Sequence, residues 1–108
     1  MTEEQGLLDF FDLLERVSPT FGSVLKFHMQ RRLGVDPIKV LFEKPRLFLE
    51  VLCELLGGEE ECNFVLRAVV EEINAIAKLR LPPGILFSAL KKGDVKTIKW
   101  LLGKARGR

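Results

Sequence analysis

The chain has 108 residues, of which 47% are apolar and 30% charged, and its formal net charge is +2. That length supports one core and no more, because roughly two-thirds of the unfolded surface is buried at this size. No apolar run reaches the roughly 18 residues a membrane span needs, and the acidic start, Met1-Thr2-Glu3-Glu4-Gln5, is unlike the basic opening of a secretory signal, so the expectation is a cytoplasmic protein without membrane attachment.

The net charge hides a segregation. Residues 1–79 carry nine Lys/Arg and fourteen Asp/Glu, a balance of −5; residues 80–108 carry eight Lys/Arg and the single acid Asp94, a balance of +7. Two Asn, two Gln, three Ser, three Thr and no Tyr leave a chain of apolar and charged residues, a composition that leans toward a thermophile.

The periodicity predicts a first helix from about Glu3 to Val17. Leu7, Phe10, Phe11, Leu14 and Val17 recur three to four residues apart, on one face. Glu3, Glu4 and Asp9 sit where the positive end of the helix dipole favours acids. Ser18-Pro19 reads as a cap followed by a proline at the first helical position. The second helix then runs to Leu33, with Phe21, Val24, Leu25, His28 and Leu33 inward, and stops at Gly34. Asp36-Pro37 repeats the cap-plus-proline start for a short helix to about Glu43, and Pro45 breaks or kinks the pattern.

Arg46–Leu56 is apolar most of the way round, which marks a central helix or one shared with a second subunit. After Gly57-Gly58, the acids Glu59-Glu60-Glu61 open the longest helix, to about Leu79. Its seam is Cys62, Leu66, Val69, Ile73 and Ile76, widened by Val65, Val70 and Ala77. Residues 80–84, with Leu81-Pro82-Pro83-Gly84, form a joint within a single domain. The 24 residues beyond it cannot make a core alone. A helical hairpin follows, with arms Ile85–Leu90 and Val95–Leu102, a glycine stop at Gly93 and a cap at Asp94. Val95, Ile98, Leu101 and Leu102 face inward. Trp100 projects to the other side, with Lys96 and Lys104 at i−4 and i+4. No strand and no internal repeat is expected. The sum is an all-α bundle of about six helices with core helices at 1–79, the joint, and a basic hairpin and tail at 85–108.

Residues 21–76 resemble a small archaeal all-helical family, Nitrosopumilus output domain 5. The carrying residues are Gly34-Val35-Asp36, then Pro45 with Phe48, Leu52 and Leu56-Gly57, then the ladder Val65, Val69 and Ile73. The resemblance covers about half the chain and rests on packing and capping residues. It implies an archaeal regulatory or interaction module and assigns no catalytic residue; the basic hairpin departs from that module. Ala89-Leu90-Lys91-Lys92-Gly93-Asp94-Val95 is similar to the turn inside an ankyrin repeat, but ankyrin arrays stack several copies and this chain has one partial copy.

Chemistry-bearing residues are few, and no catalytic, metal or cofactor set is expected. Cys53 and Cys62 lie symmetrically about Gly57-Gly58, at equal height on two antiparallel helices. They read as two buried thiols, with a bridge across the hairpin as the alternative in a hyperthermophile cytoplasm. His28, the only histidine, has no nucleophile partner by motif. The acid pairs Asp9/Asp12 and Glu71/Glu72 fall on faces expected to be solvated, and acids after Gly57-Gly58 exclude a phosphate loop.

The basic hairpin is the candidate surface. Lys91, Lys92, Lys96, Lys99, Trp100, Lys104, Arg106 and Arg108 combine cations with an aromatic, as nucleic-acid binding requires. A solvated face with a packed Trp and a protein-binding face stay open beside it. An internal partner is also available in the acids of Glu59–Glu61 or Asp9–Glu15. The apolar excess at Arg46–Leu56 and Val65–Val70 points to a homodimer through the central helices. The function expected is therefore a non-enzymatic, self-associating protein-interaction or regulatory module, with nucleic-acid binding through the hairpin as the alternative.

Overall fold

The computed structural model describes residues 9–106, so the expected helical stretch from Glu3 to Leu8 and the terminal Arg108 lie outside the described residues. The architecture is an all-α bundle of seven helices, without a strand among the described residues. In chain order these are α1 (Phe10–Val17), α2 (Pro19–Leu33), α3 (Pro37–Glu43), α4 (Pro45–Leu56), α5 (Glu59–Ala77), α6 (Ile85–Lys92) and α7 (Val95–Arg106).

Local chemistry fixes most of the boundaries. Asp9 and Asp12 are not a solvated acid pair, as their spacing suggested. They form a reciprocal capping box: the Asp12 amide donates to Asp9 Oδ1 at 2.9 Å, and the Asp9 amide donates to Asp12 Oδ2 at 2.9 Å. Burial raises the Asp9 pKa above its ordinary value, because its carboxylate is half withdrawn from water. Ser18 makes no side-chain cap; Pro19 alone presets the start of α2. Asp36 caps α3 through the Ile38 amide at 3.0 Å. Pro45 does not kink a helix but begins one, and α3 ends at Glu43. Gly34, Gly57 and Gly93 all stop helices with φ between 73° and 101°, the left-handed region where a Cβ is unfavourable.

One core holds the helices together. Phe10 packs edge-on against Phe11 at 5.2 Å and against Phe48 at 5.4 Å, and all three are buried. α4 is the central helix and touches α2, α3, α5 and α6. Its Phe48, Leu49, Val51 and Leu52 are buried within this one chain, as are Val69 and Val70 of α5. The apolar excess read as a dimer seam is thus largely consumed inside a single copy. Three inward assignments are corrected: Val17 is 49% exposed, Val24 47%, and His28 is exposed as well, while Leu13 and Met29 take the buried places. At Gly22 of α2 the backbone of α1 lies too close to admit a side chain. A Cβ there would meet the Glu15 amide nitrogen at 2.9 Å and the Phe11 carbonyl oxygen at 3.1 Å.

The joint is pinned rather than loose. Lys78 ends α5 in the left-handed conformation with φ 57°, and the Leu79 amide donates back to the Asn74 carbonyl at 3.1 Å. The Asn74 side chain then pairs with the backbone of Leu81: the Leu81 amide donates to Asn74 Oδ1 at 2.9 Å, and Asn74 Nδ2 donates to the Leu81 carbonyl at 3.2 Å. Beyond it, Leu86, Ala89 and Leu90 of α6 and Ile98, Leu101, Leu102 and Ala105 of α7 enter the same core. The radius of gyration is 12.8 Å, against about 13 Å for one compact domain of this length.

Candidate interaction surfaces

The basic hairpin is built from two short helices whose inner faces are apolar and whose outer faces carry the lysines. The turn closes as a Schellman motif, with the Asp94 amide donating to the Ala89 carbonyl at 2.8 Å. Asp94 then caps α7: the Thr97 amide donates to Oδ1 at 3.2 Å and the Thr97 hydroxyl to Oδ2 at 2.7 Å. These hydrogen bonds, the hydroxyl's first, lower the Asp94 pKa from its ordinary value. The expected arms are longer than their apolar periodicity indicated, reaching Lys92 and Arg106.

The hairpin residues divide into two groups. Lys91 is engaged with its own domain: its Nζ is 3.5 Å from Glu59 Oε2 and 5.5 Å from the Phe87 ring centroid. The expected internal attraction to the Glu59–Glu61 acids is therefore present at one position. Arg46, from α4, donates to the carbonyls of Lys91 at 3.2 Å and Lys92 at 3.0 Å and so caps α6 from across the fold. The second group faces water. Trp100 is 46% exposed, with Lys104 Nζ 5.3 Å from the centre of its ring. Lys92, Lys96, Lys99 and Lys104 are exposed and make no ion pair among the described residues; the pairs that form there are Lys91–Glu59, Arg16–Glu72 and Arg32–Glu54. Trp100 thus keeps nearly half of its surface in water. Arg106 closes α7, and its side chain lies outside the described residues.

A second surface, at the start of α5, was not singled out from the residues. Phe64 is 75% exposed, more than any other large apolar side chain among the described residues. It lines an open groove of about 430 Å³ with Phe21, Leu56 and Val65, and Glu60 and Glu61 form the rim. A signal for it exists in the periodicity. At about 100° per residue Phe64 lies opposite Cys62 and Leu66, the two seam residues that flank it. An apolar residue opposite a filled seam has no core left to join.

The remaining candidates are structural. Cys53 and Cys62 are free thiols that face each other across the α4–α5 hairpin; Cys62 is buried and Cys53 partly so. Burial pushes the Cys62 thiol up first, and a hydrogen bond with Cys53 adds to it, so the protonated form is favoured. Cys53 lines a shallow groove of about 470 Å³ between Arg46, Glu59 and Lys91. His28 is exposed and stacks edge-on with Phe27 at 5.5 Å. Among the described residues no polar or charged side chain is buried, no cluster of His, Cys, Asp and Glu has the arrangement of a metal site, and no helix is long and apolar enough to cross a membrane.

No protein-family model, curated protein or solved structure matches this chain.

Proposed function

We propose that this protein is a non-enzymatic interaction module that docks a protein partner in the groove around Phe64. The observation that carries the reading is Phe64 itself. Burying a phenylalanine stabilises a fold by about 1.5–3 kcal/mol, and here three-quarters of that side chain is left in water beside three further apolar residues. Exposed apolar surface with a polar rim fits a protein partner. The acids on the rim select for basic partners and against nucleic acid. The regulatory and archaeal setting rests on the resemblance of residues 21–76, and a thermophilic source on composition.

The test is a titration of the isotope-labelled protein with a short helical peptide bearing lysines and one tryptophan. Backbone shifts are expected at Phe21, Leu56, Phe64 and Val65, and their loss in Phe64→Glu. Shifts that avoid these residues, or that persist in Phe64→Glu, overturn the reading.

Trp100 favours a second reading, nucleic-acid binding by the outer face of α7. An exposed indole among free lysines is a stacking platform beside phosphate-binding charges. Its signature is a saturable change in Trp100 emission with duplex DNA or single-stranded RNA, lost with added salt and in Lys96→Ala/Lys104→Ala.

A further inference from the structure

We infer that the groove around Phe64 takes the outer face of α7 from a second copy of this chain, with Trp100 entering between Phe21 and Phe64. The inference rests on the reading of the groove as a docking surface and names its occupant. Among the described residues the groove and the outer face of α7 are both left without a partner, and they are complementary. The groove is apolar with Glu60 and Glu61 at its edge. The α7 face is aromatic at Trp100, with Lys96, Lys99 and Lys104 around it. Within one copy neither covers the other, since Phe64 and Trp100 both remain exposed.

Charge excludes the simpler pairings. Groove against groove would set Glu60 and Glu61 opposite their own images, and α7 against α7 would do the same with three lysines; like charges across an interface are strongly unfavourable. Groove against α7 places acids opposite lysines and an indole against phenylalanine. The segregation of charge along the sequence, −5 over residues 1–79 and +7 over residues 80–108, then has a physical use: it orients one copy on the next. The contact is small, so the association is weak and depends on concentration. Part of it is ionic, so salt weakens it.

Sedimentation velocity on the full chain, from micromolar to millimolar concentration at low salt, reads the inference directly. Wild type is expected to associate as concentration rises, and to return toward monomer with added salt. Phe64→Glu and Trp100→Ala are each expected to remain monomeric, with melting temperatures near wild type because both side chains are exposed. Lys96→Glu/Lys99→Glu, at exposed positions, repeats the α7 arm without touching the core. An equimolar mixture of Phe64→Glu with Trp100→Ala is expected to associate again, because one copy retains an intact groove and the other an intact α7 face. A wild type that stays monomeric throughout overturns the self-pairing alone and leaves the groove to another basic partner. Association that survives Trp100→Ala, or a mixture that fails to recover it, also overturns the inference. Association unaffected by Phe64→Glu removes both the inference and the groove reading beneath it.

Discussion

The α4–α5 and α6–α7 hairpins solve one backbone problem in one way and then diverge. Both end the first helix at a left-handed glycine, and both close with a Schellman bond, Gly58 to Cys53 at 2.9 Å and Asp94 to Ala89 at 2.8 Å. After the first turn come three glutamates, at the end of the helix where the dipole favours them. After the second comes Asp94, and then lysines with no acid among them. The first hairpin is the middle of the core. The second is tied to it by Arg46 and by Lys91–Glu59. The difference teaches that turn chemistry sets the path of the chain, while the residues just past the turn decide what the surface can meet.

The comparison is broken most severely in the core. Phe48→Ala and Leu90→Ala remove buried side chains from the two hairpins, at a cost of about 3–5 and 2–5 kcal/mol respectively. Urea unfolding is expected to show one shared transition in both variants. A Leu90→Ala protein that loses α6 and α7 while the rest stays folded would divide the chain into two cooperative units. Next come the turns. Gly57→Ala and Gly93→Ala force a Cβ into the left-handed region, and each is expected to cost about 1–2 kcal/mol in the same assay. A cost confined to Gly57 would mean that the second turn is free to rearrange.

Arg46→Ala is a smaller perturbation. It leaves the Lys91 and Lys92 carbonyls to water and is expected to cost about 0.3–1 kcal/mol, with faster amide exchange in the last turn of α6. The smallest effect is on acid sensitivity. The Asp94 pKa is lowered in the folded protein, so its contribution is present above the ordinary value of 3.8 and is lost as pH falls through the folded value. Asp94→Asn is expected to flatten that part of the stability–pH profile. Asp9 has the opposite sign: its pKa is raised by burial, so protonation relieves a cost and Asp9→Asn removes a gain on acidification.

Most starts and stops decided within a few residues were readable in the sequence, the Asp9–Asp12 capping box, the uncapped Ser18 and the helix start at Pro45 excepted. The starts at Pro19, at Asp36-Pro37 and at Glu59, and the stops at Gly34, Gly57 and Gly93, follow from side-chain geometry and the dipole, and all stand where expected. Contacts set over long separations were not readable. Arg46 reaches carbonyls 45 and 46 residues away, and nothing near it marks that use. Lys78 adopts a conformation that its side chain does not favour, because Asn74 and Leu81 hold the chain on either side. The inner faces at Val17 and Val24 were misassigned because a helical stripe admits more apolar residues than one core can receive, and Leu13 and Met29 were nearer to it. Of the candidate surface, the pairing of Trp100 with Lys104 followed from spacing alone. The Phe64 groove required knowing that Phe21 of α2 and Leu56 of α4 come to the same place as Phe64 and Val65 of α5.

The grip of Asn74 on Leu81 bears on how such a chain can change by recombination. A proline-rich stretch where the charge reverses looks like a natural place to splice. A crossover there would leave the Asn74 amide without its two backbone partners and would strip Leu86, Leu90, Ile98 and Leu101 from the interior they complete. The basic hairpin moved to another scaffold would carry its lysines without the floor that orients them. Residues 81–106 belong to the same core as the rest of the domain, and the outer faces of α6 and α7 are where a substitution leaves that core intact.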